Sequence, residues 1–179
     1  EMCIRDRKNI IITGASGFLG AKIYNYFNSN NLVCSVGRSL NNDVICDLST
    51  NVPVFSNIFF DTVIHCAGKA HIVPRTQKEV DEFNEVNFLG TKNLIKGIDS
   101  LPKLPKSFIF ISSVAVYGVD EGILINEEYV AKPITPYGIS KKLAEDYILA
   151  WGKKNNVKTC VIRAPLIIGK NPLGNLKFM

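Results

Sequence analysis

What the chain lacks narrows its chemistry first. No apolar run approaches the roughly eighteen residues of a membrane span, and no signal-peptide pattern opens the sequence. There is no C-x-x-C pair. The cysteines are odd in number, Cys3, Cys34, Cys46, Cys66 and Cys160. Cys34, Cys66 and Cys160 lie in apolar, strand-like runs and read as buried free thiols of a reducing compartment, hence the cytoplasm. Lys and Arg are scattered, and the formal charge is only +5, which gives no support to a nucleic-acid partner. No metal-ligand set, internal repeat or low-complexity tract is present. What remains is an ordinary globular composition, 46% apolar and 21% charged, in 179 residues, enough for one well-buried domain.

The ends read differently from the middle. Glu1 precedes Met2, and residues 1–8 match nothing downstream, so they are expected to be a non-native leader. Residues 9–170 form the candidate domain. Residues 171–179 are expected to open a second, truncated substrate-binding domain.

The middle is organised around Thr13-Gly14-Ala15-Ser16-Gly17-Phe18-Leu19-Gly20. It follows the apolar Ile10-Ile11-Ile12 and opens a segment with helical spacing at Phe18, Leu19, Ile23, Tyr26 and Phe27. Strand, glycine turn, helix is the order a nucleotide-phosphate site needs. Gly14 permits the sharp turn, Gly17 keeps a Cβ away from a pyrophosphate, and Gly20 lets the helix lie close on the sheet. The first gap is one residue wider than in the usual dinucleotide fingerprint. A glycine-rich turn without a ligand is the plainer alternative.

The rest of the chain alternates in the same way. Strands are expected at residues 32–36, 44–48, 61–68, 107–111 and 157–162. Helices are expected at residues 18–28, 78–99 and 137–154, the last with Ile139, Leu143, Tyr147 and Trp151 on one face. The pattern predicts a doubly wound α/β domain: a mostly parallel sheet with helices on both faces. After the second strand, where an acid would hold the adenosine ribose, stand Gly37-Arg38-Ser39. A cation and a hydroxyl there favour a 2′-phosphate, although Arg38 could also be a solvated loop residue. Asp47 could receive an adenine amino group or begin a turn. His65 reads as a packing histidine rather than a base. Ala67 and Gly68 are small enough to let a cofactor pass, and Asn87, on an apolar helix side, needs a buried polar partner.

Tyr137 and Lys141 are four apart at the start of a helix and share a face. A phenol with a pKa of about 10 is a poor base at neutral pH. An ammonium beside it, with the field of a bound nicotinamide, is expected to lower that pKa. Ser113, delivered by the strand end Ser112-Ser113, would hold the substrate oxygen.

With these residues in place the chain resembles the extended short-chain dehydrogenase/reductases, specifically their sugar-nucleotide epimerase, dehydratase and reductase group. The likeness runs from residue 9 to residue 179 through the glycine turn, Cys46-Asp47-Leu48, His65-Cys66-Ala67-Gly68, Val86-Asn87-Phe88-Leu89-Gly90-Thr91, Ser112-Ser113-Val114-Ala115-Val116-Tyr117-Gly118, Pro136-Tyr137-Gly138-Ile139-Ser140-Lys141 and Arg163-Ala164-Pro165-Leu166-Ile167-Ile168-Gly169. The resemblance implies a catalytic set of Ser113, Tyr137 and Lys141. It implies cofactor contacts at Gly14, Ser16, Gly17, Phe18, Leu19, Gly20, Arg38, Ser39, Asp47, Leu48, Ala67, Gly68, Asn87 and Pro165, and substrate contacts at His71 and Asn175. The implied cofactor is NADP, with NAD the alternative. The implied substrate is a nucleotide sugar handled in polysaccharide biosynthesis, and the implied assembly a homodimer. Val114-Ala115 stands where the group's 4,6-dehydratases carry Asp-Glu, so dehydration is not expected. Reduction of a 4-keto hexose is expected first, 4-epimerisation of a UDP-hexose second. A non-catalytic nucleotide-sensing module on the same fold is a third reading.

Overall fold

A computed structural model describes residues 7–56, 58–70 and 72–169. Ile10, Ile11 and Ile12 are β-branched and buried, and they form β1 (Asn9–Thr13) at the middle of a six-stranded sheet. β2 (Leu32–Gly37), β3 (Val44–Ile45), β4 (Thr62–His65), β5 (Ser107–Ser113) and β6 (Lys158–Ala164) complete it. All pairs are parallel, in the order β3-β2-β1-β4-β5-β6. The order reverses beside β1, so a crevice opens at the carboxyl ends of β1 and β4.

Alternation along β1 divides the core. Ile10 and Ile12 face α1 (Phe18–Asn28), packing with Ile23, Tyr24 and Phe27. Ile11 faces the other way, with Val63, Phe108 and Phe110. These pack on Leu94, Ile95 and Ile98 of α3 (Gly90–Asp99) and on Ala144, Ile148 and Trp151 of α4 (Pro136–Asn155). Helices therefore cover both faces, as the pattern predicts.

Several boundaries differ from expectation, each for a local reason. The helix expected at residues 78–99 is three windings in sequence. α2 (Gln77–Phe83) starts on a Thr76–Glu79 capping box, a wider π turn follows at Asn84–Leu89, and α3 completes it. β3 stops at Ile45, because Asp47 folds the chain into a turn by accepting from the Ser49 N–H and hydroxyl. In α4, started by Thr135 with Pro136 in its first turn, the four-residue stripe is not the core face. Each step of four advances about 40° around the axis. Trp151 is therefore buried at 7% exposure, while Ile139 and Leu143 stand 43% and 40% exposed. The buried face carries Ser140, Lys141, Ala144, Glu145 and Ile148. Cys160 is exposed and Cys34 and Cys66 are half-buried; of the described cysteines Cys46 is the buried one. Cys160 lies on β6, an edge strand, which covers it less than the sheet centre would.

Gly20 brings α1 against the turn before it. A Cβ there would lie 2.0 Å from the Gly14 carbonyl oxygen, a backbone atom that cannot swing aside. Gly→Ala inside a helix ordinarily stabilises by about 0.5–1 kcal/mol. Gly20→Ala is expected instead to destabilise by about 1–3 kcal/mol, the range of an overpacked core. Urea denaturation measures the sign, and a stabilised variant contradicts the contact.

Candidate active site

A cleft of about 1440 Å³ runs along the carboxyl edge of the sheet, from the start of α1 to the start of α4. At one end are Gly14, Gly17, Phe18, Leu19 and Gly20. Gly14 has φ +71, and a Cβ on it would come within 2.7 Å of the Ala67 nitrogen, so the turn and the β4 loop touch backbone to backbone. Gly17 is the N-cap of α1 in an extended conformation, without a capping side chain and with no acid in the first turn. The first N–H groups of α1 are therefore left to meet an anion. Ser16 sits exposed on the same turn. These features fit the diphosphate of a dinucleotide: Cβ atoms would crowd the turn, and no acid stands in the first turn of α1.

At the other end stand Ser113, Tyr137 and Lys141, all lining the cleft. Ser113 ends β5, and its hydroxyl accepts from the Ala115 N–H at 3.2 Å. Tyr137 packs against Phe83, with ring centroids 6.0 Å apart. Burial pushes its phenol above the ordinary value, while the Ser113 hydroxyl beside it pulls the other way. Here the outcome departs from the lowering expected of Lys141. Lys141 Nζ is directed over the Phe110 ring, 4.2 Å from its centroid, and not into an ion pair with the phenol. Burial pushes the Lys141 ammonium down to about 8, against the upward pull of Cys66 and Glu145.

Asn87 and Gly68 meet between the two ends. A Cβ on Gly68 would lie 3.0 Å from Asn87 Oδ1 and 3.7 Å from Lys141 Nζ. Asn87 is buried, and it finds the partners its position demands: Oδ1 accepts from the Lys69 N–H at 2.7 Å, and Nδ2 donates to Ser140 Oγ at 2.9 Å. Lys69 also pairs with Glu82 beside the Phe83 ring. Ala67 donates its N–H to Thr13 Oγ1 at 3.1 Å, and Pro165 lies exposed along the cleft wall.

The residues expected around the adenosine end separate. Arg38 and Asp47 line a second, smaller hollow of about 610 Å³ with Asp43 and Val52, and Ser39 is exposed next to Arg38. Hydrogen bonds from Ser49 hold the Asp47 carboxyl below its usual value, with a smaller pull from Arg38. Asp47 therefore begins a turn in this structure. Leu48 is 8% exposed in the core, and its carbonyl accepts from Asn93 Nδ2 at 2.9 Å, so its side chain belongs to the packing under α3. His71 and Asn175 lie outside the described residues.

Sequence reasoning passed over Glu145, and named Ser112 and Arg163 only within motifs, with no role of their own. Glu145 is 1% exposed, accepts from Ser112 Oγ at 2.5 Å, and takes Arg163 on both oxygens, with Nη2 to Oε2 at 2.8 Å. Arg163 in turn lies 4.8 Å over the Tyr117 ring. The signal was present: Glu145 is one helical turn beyond Lys141, an acid on the face that α4 buries.

Comparison with known proteins agrees with this geometry. Residues 10–178 match the profile of the NAD dependent epimerase/dehydratase family. UDP-glucose 4-epimerase of Vibrio cholerae is 30% identical, over 97% of this chain and 57% of its own length. GDP-6-deoxy-D-mannose reductase of Pseudomonas aeruginosa is 29% identical over 87% of this chain and 51% of its own. Among solved structures, that of RMD from Pseudomonas aeruginosa complexed with NADPH superposes with a TM-score of 0.72 at 27% identity, covering 93% of this chain and 56% of the other. The chain thus spans about half the length of the relatives it matches. By the family match over residues 10–178 and these relatives, the chain belongs to the NAD-dependent epimerase/dehydratase family, of the extended short-chain dehydrogenase/reductase type.

Proposed function

We propose that the protein is an NADP(H)-preferring oxidoreductase that reduces the 4-keto group of a nucleotide-activated hexose. The observation that carries this reading is the single cleft joining the uncapped start of α1 to Ser113, Tyr137 and Lys141. The group that binds along the cleft supplies the hydride. Tyr137 gives its phenolic proton to the carbonyl oxygen as the carbon takes up the hydride, so the ketone becomes an alcohol. Ser113 holds that oxygen by a hydrogen bond, and the Lys141 ammonium stabilises the phenolate left on Tyr137. Ser16 and the N–H groups of the glycine turn hold the diphosphate, while Ala67, Gly68, Asn87 and Pro165 border its path. Arg38 and Ser39 receive a 2′-phosphate, and the Asp47 turn, in the same hollow as Arg38, borders the adenine, while the Leu48 side chain stays in the core. A cytoplasmic homodimer working in polysaccharide biosynthesis completes the reading. His71 and Asn175 contact the sugar nucleotide, and residues 171–179 begin the substrate-binding part.

The Vibrio cholerae relative favours a second reading, a UDP-hexose 4-epimerase that oxidises and re-reduces one carbon with NAD retained. Full-length protein offered UDP-, GDP- and dTDP-sugars and their 4-keto forms, with either cofactor, separates the two. Turnover of a 4-keto sugar that consumes added NADPH supports reduction. Copurified NAD with no need for added cofactor supports epimerisation. Turnover of no sugar nucleotide, with cofactor bound, leaves the non-catalytic module.

Each proposed role has its own outcome. Tyr137→Phe should lower turnover by about 10²–10⁴-fold, the contribution of a general acid, with cofactor affinity retained. Turnover at the wild-type rate removes Tyr137 from the chemistry. Lys141 keeps its charge below a pKa of about 8. The rate of reduction is therefore expected to fall as the pH rises through about 8, and a profile flat through that region contradicts the role. A guanidinium can hold a 2′-phosphate through charge-assisted bonds of about 1.5–3 kcal/mol each. Arg38→Asp should therefore weaken NADP(H) roughly tenfold or more and leave NAD(H) equal or improved. Calorimetric titration of both cofactors decides it, since equal wild-type affinities unchanged by the substitution exclude Arg38.

A further inference from the structure

His65 was expected to be a packing histidine, and it is almost wholly buried, with no part in the chemistry above. Its bonds nevertheless lead to both ends of the cleft. Nδ1 lies 2.6 Å from Thr13 Oγ1, and Nε2 lies 2.9 Å from Thr91 Oγ1. The Thr91 hydroxyl donates to the Asn87 carbonyl at 2.6 Å. Asn87 Nδ2 donates to Ser140 Oγ at 2.9 Å, and Ser140 Oγ donates to the Tyr137 carbonyl at 2.8 Å. The chain thus starts one residue before Gly14 and ends on the backbone of Tyr137. It crosses β1, β4, the π turn, α3 and α4, through five side chains none more than 2% exposed.

One arrangement of protons satisfies every link. Thr91 has a single hydroxyl proton, and it is committed to the Asn87 carbonyl, so the proton between His65 and Thr91 belongs to Nε2. Nδ1 is then bare and accepts from the Thr13 hydroxyl. Thr13 Oγ1 keeps a lone pair for the Ala67 N–H, 3.1 Å away. Burial supports this neutral tautomer by pushing the imidazole down to about 3. Each donor points the same way along the chain, from β1 towards α4, an arrangement in which bonds polarise one another.

A histidine serving only the core would find partners anywhere. These partners are Thr13, which leads into the phosphate-binding turn and takes the Ala67 N–H, and Thr91, which through Asn87 reaches the first turn of the helix bearing Tyr137. We infer that His65 is a positioning residue, which through Thr91, Asn87 and Ser140 sets the placement of Tyr137 relative to the glycine turn. This rests on the oxidoreductase reading for its kinetic consequence, though not for its structural one. The link is short, buried and directional, so cutting it displaces the first turn of α4 while the phosphate-binding turn stays in place.

The test uses full-length protein with Thr91→Val, which keeps the side-chain shape and removes the link between His65 and Asn87, and Thr91→Ser, which restores the hydroxyl. Ser140→Ala cuts the chain further on. Thr91→Ala takes the place of Thr91→Val if circular dichroism shows the latter unfolded. A small displacement at the reacting centre costs up to about 10²-fold in rate. Thr91→Val and Ser140→Ala should therefore lose roughly tenfold or more in kcat with cofactor affinity unchanged, and Thr91→Ser should recover most of it. In parallel, ¹³C-tyrosine NMR follows the Tyr137 phenol, assigned by its loss in Tyr137→Phe, and needs no turnover. Its titration midpoint should move in Thr91→Val and return in Thr91→Ser. An unmoved midpoint in Thr91→Val overturns the inference, as does an effect confined to Ser140→Ala. Wild-type protein inactive on every sugar nucleotide defeats the oxidoreductase reading instead, and the NMR midpoints then decide the positioning role alone.

Discussion

The close approach of Gly14 to the backbone at Ala67 is the contact on which the cleft depends. A positive φ at Gly14 turns the chain out of β1 while its α-carbon stays against the loop that leaves β4. A side chain there would meet the Ala67 nitrogen, and the two strand ends would have to part. Gly20 repeats the device one helical turn later, where α1 seats on the Gly14 carbonyl. Together they hold the uncapped helix start at the point where the strand order reverses, so the partial charge of α1 falls inside the cleft. The β1–β4 register, which sets Thr13 beside His65, brings Gly14 and Ala67 to the same level at the ends of the two strands.

The other end of the cleft is governed by a buried ammonium. Lys141 is 4% exposed, and taking such a charge out of water costs several kcal/mol unless it is compensated. The nearest carboxylate on α4, Glu145, is already held on both oxygens by Arg163 and also receives Ser112. Lys141 is left with the Phe110 ring face and the fields of Cys66 and, more weakly, Glu145. The result is a lysine that gives up its proton far more readily than an exposed one. Perturbed groups of this kind gather where proton transfer is carried out. The Glu145–Arg163 pair also ties α4 to β6, which fixes the helix on the sheet edge that carries Ser113.

Most of the architecture could be read from periodicity and glycine placement. Residues 18–28 were expected as a helix and form one, because an amphipathic run bounded by Gly17 and the Asn28-Ser29-Asn30-Asn31 break has few other ways to bury its apolar side. The parallel sheet followed from strands separated by helical stretches. The failures have physical causes too. The stripe Ile139, Leu143, Tyr147 and Trp151 looks coherent as text but winds around α4, and the true core face includes a lysine and a glutamate, which hydropathy reads as solvent-facing. The π turn at Asn84–Leu89 has no simple sequence signature, since its widened winding is stabilised by contacts with α4 and the Lys69 loop.

Local sequence by itself determined most of the elements, the glycine turn, and the placement of Ser113 at a strand end and of Tyr137 and Lys141 one turn apart on a helix, because backbone sterics and side-chain spacing act within a few residues. Tertiary structure decided what those residues experience. Whether Asp47 faces a ligand or closes a turn depends on Ser49, two residues on, but whether Leu48 lines the cleft or the core and which way Lys141 aims its charge depend on groups distant in the chain, Asn93 and Phe110. His65 shows the difference most plainly. Its type and its place at the end of a strand were legible, but its bonds reach Thr13 and Thr91, which lie 52 residues before it and 26 after it in the chain. No short-range rule ties those hydroxyls to that ring; only the packing of β1, β4 and α3 brings them within 3 Å.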